Sequence, residues 1–142
     1  MKKRGKSFTG KQGVSAFVRT ICDKQALDST QITSLSLAYR LAYESMHTGK
    51  GTRFAAMTLA HTADISLILA EAGYGHDHLP LIKQGQEWLK LCLQRGRSDN
   101  IWQLDNAAFA IVADVLALHD QQLALITKKE LQLVVEEIIR RS

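Results

Sequence analysis

Beyond residue 13 the chain repeats its apolar side chains every three or four positions, the spacing that lines one side of an α-helix. Six stretches keep this period. The first runs from about Val14 to Gln25, with Val14, Phe17, Val18 and Ile21 along one side. The second opens at DSTQ, where Asp28 or Ser29 is placed to cap the free amides of a first turn; it carries Ile32, Leu35, Tyr39, Ala42, Tyr43 and Met46 and stops at Gly49. The third follows Thr52, ends at Gly73, and has Met57, Ala60, Ile65, Ile68 and Ala72 on its expected inner arc. The fourth grows out of EAGYGHDHLP and runs to Arg95, with Gly96 as its stop. Leu79, Ile82, Gln86, Leu89 and Leu93 form one face of it, while Leu81, Trp88 and Cys92 fall on the far side. A helix apolar on two sides is either central to the fold or buries its second side against a partner. The fifth begins near Asp105, its expected N-cap, and passes through Ala108, Ile111, Val112, Val115 and Leu118 to about Ile126. Thr127 and Glu130 then match the capping box that opens the sixth, built on Leu131, Val134, Val135 and Ile138.

No stretch alternates as a strand would, and no repeat or sustained heptad is present. The expected fold is therefore all-α. Short linkers make neighbouring helices antiparallel, which implies a compact bundle of about six helices forming a single domain over residues 14–142. Residues 1–13, rich in lysine and glycine, read as a disordered basic tail.

Charge adds one correction to this picture. The net charge of +4 and the high isoelectric point come from Lys2, Lys3, Arg4, Lys6 and Lys11, which stand among no acidic residues. Residues 12–142 carry thirteen basic against fourteen acidic side chains, so a basic fold for nucleic acid is not indicated, although the tail itself can contact phosphates. Uncharged apolar runs such as AAFAIVA stop well short of the ~20 residues of a membrane span, and no signal core follows the basic start. Cys22 and Cys92 have no metal-binding spacing and read as reduced, packing thiols. A cytoplasmic protein is expected.

The candidate chemistry lies in the histidines. His76 and His78 flank Asp77, but two positions apart they do not share a helix face, and the better account of EAGYGHDHLP is a helix junction. There Gly73 ends one helix, Asp77 accepts from the first amides of the next, and Pro80 fits its first turn. One helix earlier, His61 and Asp64 are three apart and fall on the arc expected to face inward; His119 in LALHDQQL lines up with Ala108, Val112, Val115 and Ile126. Buried polar groups must be paired, so His61, Asp64 and His119 are expected in a hydrogen-bonded network between the third and fifth helices, or in a polar seam open to a cleft. They could in principle serve as a base or hold a metal, but the chain contains no G-x-S-x-G, phosphate loop, H-E-x-x-H or E-x-x-H to complete a site. GKGTR lacks the first glycine of a phosphate loop and reads as a turn. No enzyme, no cofactor and no metal is the expectation. Binding candidates are the tail and the loop RGRSDNIW, with Arg95, Arg97 and an exposed-looking Trp102, residue types that serve both protein hot spots and bases. A helix-turn-helix is not convincing, since the fourth helix offers only Lys83 and Lys90 as basic residues before Arg95.

The KKR start, LAEAGYGHDHLPLIKQGQ, RGRSDNIWQLD and LALHDQQL resemble a loose group of small helical accessory proteins from proteobacterial phages, plasmids and integrative elements. The resemblance implies a mobile-element protein and assigns no site residues. Together these readings point to a protein that binds another protein, whether a host replication or defence component or its own copy as a homodimer. A nucleic-acid-binding regulator using the tail and the Arg95–Trp102 loop is the alternative.

Overall fold

The computed structural model describes residues 25–141, so the expected first helix, the basic tail and Cys22 lie outside the described residues. Within them the chain is all-α. Five helices follow in order: α1 (Ser29–His47), α2 (Arg53–Glu71), α3 (Leu79–Asp99), α4 (Asn106–Leu123) and α5 (Lys128–Arg141). A single 3-10 turn, His76–His78, precedes α3.

Local chemistry sets most of the helix starts. Asp28 caps α1 in a capping box, its carboxylate accepting from Gln31 N at 2.8 Å while the Gln31 side chain accepts from Asp28 N at 3.0 Å. Thr52 caps α2 by accepting from Ala55 N at 3.0 Å. Thr127 and Glu130 form the second reciprocal box, at 3.1 and 2.9 Å, at the head of α5. That head is tied to the segment before α1: Ala26 and Thr127 form an isolated antiparallel bridge, and Lys128 N donates to Gln25 O at 2.9 Å.

Two expected caps are put to other uses. Asp105 stands in the N-cap position of α4 without a side-chain cap bond, because its carboxylate accepts from Arg95 instead. Asp77 is exposed in the 3-10 turn, and neither that turn nor α3 has a side-chain cap; Pro80 does sit in the first turn of α3. The expected stop at Gly96 is also displaced. Helix α3 continues through it to Asp99 and ends on Asn100, whose φ of 57° supplies the left-handed cap. Gly96 is needed for another reason: a Cβ there would overlap the ring of Trp102, and a Cβ at Gly51 would overlap the Trp102 carbonyl oxygen. Two glycines far apart in sequence thus let one tryptophan fold down onto the helices.

Helix α2 is the centre of the packing, touching α1, α3, α4 and α5. By length and composition it alone among the described helices could cross a membrane, with a mean hydropathy of 1.2; here Ala55, Ala56, Leu59, Ala63, Leu69 and Ala70 are core residues. The expected inner arc of Met57, Ala60, Ile65, Ile68 and Ala72 lies on nearly the opposite side; four of these are half-buried and Ala72 is exposed. The deep face includes Thr62 and Ser66, which look polar in the sequence, but Thr62 satisfies its hydroxyl by donating to Thr58 O at 2.8 Å. In α3 the two expected faces prove to be the flanks of one broad face whose middle holds Gly85 and Gly96. At Gly85 the Val115 methyl of α4 comes within 2.9 Å of where a Cβ would stand, so the small residue sets how closely α3 and α4 approach. Cys92 is fully buried on this face, and burial pushes its thiol pKa up.

Candidate functional site

Helix α4 turns His119 and Gln122 of HDQQ, residues 119–122, into the interior, leaving Asp120 half-buried and Gln121 exposed. His119 and Gln122 are 3% and 2% exposed. The Gln122 amide nitrogen donates to two backbone carbonyls, Tyr74 O at 2.8 Å and Ser66 O at 3.1 Å. That assignment forces the amide oxygen toward His119 Nδ1, 2.9 Å away, because turning the amide round would set oxygen against two carbonyls. His119 Nδ1 therefore carries the ring proton and donates to Gln122, which leaves Nε2 as an unprotonated acceptor. Burial lowers the His119 pKa, outweighing the bond to Gln122 and the nearby Asp120 charge, so the ring is kept neutral. The chain of bonds continues outward: Tyr74 donates to Glu130 at 2.5 Å, and Glu130 belongs to the capping box of α5. One amide thus links the end of α2, the junction before α3, and α4, and Tyr74 extends that link to α5.

A second cluster forms on the other side of His119. Asp120 accepts from Ser36 Oγ at 3.3 Å, from the Tyr39 hydroxyl, and from Arg40 Nη2 at 2.6 Å. Burial by itself would raise the Asp120 pKa, but the Tyr39 and Arg40 hydrogen bonds prevail and hold it below the usual carboxylate value. Burial and the Asp120 bond push the Tyr39 hydroxyl well up. The Tyr39 ring lies tilted beside the His119 ring, with centroids 5.5 Å apart.

The three residues expected to share a network are separated. His119 is in it; His61 is exposed and Asp64 half-buried, because α2 turns its other side to the deep core. Asp64 accepts from Gln86 Nε2 at 2.8 Å and borders a groove of about 400 Å³ between α2 and α3, with Lys90 and Arg97 nearby. His61 and His119 meet instead on an apolar cleft of about 220 Å³, walled by Leu35, Tyr39, Ile65 and Leu131. Sequence reading missed Gln122, Asp120, Tyr39 and Ser66. The signal available was HDQQ itself, four consecutive polar residues in an apolar helix, too many for all to face water.

The surface candidates divide as well. Arg95, near the end of α3, is tied to the segment that follows the helix, donating to Gln103 O at 2.7 Å and pairing with Asp105 at 3.2 Å. Trp102 is half-buried against the core rather than displayed, with its Nε1 donating to Asn100 at 3.1 Å. Arg97 is exposed on the wall of the α2–α3 groove. Lys2, Lys3, Arg4, Lys6 and Lys11 are outside the described residues. His76, Asp77 and His78 are all exposed, and among the described residues no three His, Cys, Asp or Glu side chains are grouped to hold a metal ion.

The outer side of α1 is unusual for a solvated helix. Thr30, Ser34, Leu37, Ala38 and Leu41 fall within one arc, all five are exposed, and none is charged; Leu37 and Leu41 are 56% and 61% accessible. No family model matches the chain, and no curated protein and no solved structure is significantly similar to it.

Proposed function

We propose that this chain acts by binding another protein, and that the outer face of α1 carries the contact. The supporting observation is the uncharged arc of Thr30, Ser34, Leu37, Ala38 and Leu41, in a chain with 23% charged residues. Depletion of charge at an exposed apolar patch is the compositional mark of an interface core. The partner is a host protein or a second copy of the chain, in keeping with a mobile-element accessory protein working in a bacterial cytoplasm. The same reading holds that the fold is a compact bundle of six helices, the first over residues 14–25.

Burying a leucine stabilises by roughly 1.5–3 kcal/mol, so both together can change affinity by more than tenfold. The test presents the wild-type chain and the Leu37→Glu/Leu41→Glu double variant to the same host extract, with sedimentation of each chain alone to read self-association. A partner, or a dimer, held by the wild type and lost by the variant at unchanged helicity supports the reading. Equal retention by both refutes it.

A further inference from the structure

We propose that the cleft between α1, α2, α4 and α5 is a binding site for a small neutral ligand, an apolar ring system bearing one N–H or O–H donor directed at His119 Nε2. This site does not rest on the protein-binding reading, although Ala38 borders both the cleft and the outer face of α1.

The chemistry follows from which polar atoms remain uncommitted. The cleft holds about 220 Å³, and its wall is largely apolar, with Leu35, Ile65, Leu123 and Leu131. Its hydroxyl groups already donate elsewhere: Thr58 to Phe54 O at 2.8 Å, Thr62 to Thr58 O at 2.8 Å, and Tyr39 to Asp120. His119 is 97% withdrawn from solvent, being 3% exposed, yet it lines the cleft. Its Nδ1 is committed to Gln122, whereas Nε2 has no hydrogen-bond partner among the described residues, and His119 is the buried ring that lines the cleft. A buried acceptor without a donor costs free energy unless water or a ligand supplies one. The imidazole cannot serve as a donor here, because Gln122 fixes the proton on the other nitrogen.

Size selects the body of the ligand. A dry cavity of about 150 Å³ is enough to admit benzene, while drug-sized ligands need about 300 Å³ or more, so one ring or a fused pair fits. Tyr39 and His119 supply ring faces and edges for it. His61, exposed, also lines the cleft.

The test is a titration of the full chain, followed by amide and imidazole nitrogen NMR, with two matched pairs of probes: indole against indene, and phenol against fluorobenzene. Each pair shares shape and differs in the donor. Indole and phenol are expected to bind saturably, shifting the His119 Nε2 resonance and the amides of Leu35, Ile65 and Leu131, about fivefold more tightly than their partners, the worth of one neutral hydrogen bond. His119→Leu is expected to keep indene binding and lose the preference for indole. The proposal is overturned if indene binds as tightly as indole, if the shifts map to the α2–α3 groove, or if none of the four probes binds saturably; these ligand comparisons stand even where the variant does not fold.

Discussion

Gln122→Leu is the sharpest test of how the interior is held together. The substitution keeps the volume of the side chain but removes bonds to Tyr74 O, Ser66 O and His119 Nδ1 at 2.8, 3.1 and 2.9 Å. Ser66 O lies within α2 and retains its helical partner, so two groups are orphaned, Tyr74 O and the His119 N–H. Each unpaired buried group costs about 1–3 kcal/mol, and the leucine recovers about 1–2 kcal/mol by removing polar surface from the core. The expected net loss is centred on about 2–3 kcal/mol, within a range of about 0–5, a substantial part of the roughly 5–15 kcal/mol that holds a domain folded. Urea unfolding followed by helical circular dichroism at pH 7 reads it as a lower midpoint at unchanged slope. Asp64→Ala is the comparison, since it removes a single 2.8 Å bond at a half-buried position and is expected to cost under about 1 kcal/mol. Should Gln122→Leu cost no more than Asp64→Ala, the amide is not the tie between α2, α4 and the junction, and the tautomer assigned to His119 loses its basis.

Gly96→Ala is expected to expel Trp102 from its seat, giving a red-shifted Trp102 emission in a Trp88→Phe background; unchanged emission with the helix stabilised by about 1 kcal/mol would show that the close approach is dispensable. His119 is held neutral when folded, with a pKa below the ordinary 6.5, so the unfolded chain takes up the proton first. Stability is then full above about pH 6.5 and falls as pH drops through that value, by up to ~1.4 kcal/mol per pH unit, and His119→Gln is expected to flatten the profile between pH 7 and 5. The Asp120 contribution runs through a different window: its lowered pKa keeps it present above about pH 4, to be lost only in stronger acid, and Asp120→Ala is expected to abolish that acid limb. Because Arg40 and Asp120 are 39% and 37% exposed, solvent screening limits the cost of Asp120→Ala at pH 7 to about 1–2 kcal/mol, most of it from the Tyr39 hydroxyl. Leu37→Glu is expected to leave the unfolding free energy read from urea titration within about 0.5 kcal/mol of wild type, and a larger loss would mean that the outer face of α1 is packed rather than free.

What the amino-acid sequence determined by itself was the set of helices in the described region and most of their beginnings. Asp28 with Gln31, Thr52, and Thr127 with Glu130 act within a single turn, so their hydrogen bonds are settled before any helix meets another. The inner face of α4 was legible because its large side chains, Val112, Val115 and Leu118 among them, fall on one side, while Ala107, Ala110, Asp114 and Ala117 fall on the other. Helix α2 had no such contrast. It is apolar nearly all round, and only the packing of four neighbours decides that Ala63, Ser66 and Ala70 face the deep core while His61 faces out. Glycine is the other case. Gly96 reads locally as a helix stop, but its role depends on Trp102 folding back upon it, and Gly85 depends on Val115 in another helix. Asp105 was spoken for by Arg95, and Gln122 found carbonyls 48 and 56 positions away. Caps and periods are local and can be read in order along the chain; the partner of a buried amide, and the neighbour that leaves no room for a Cβ, exist only once distant segments are brought together.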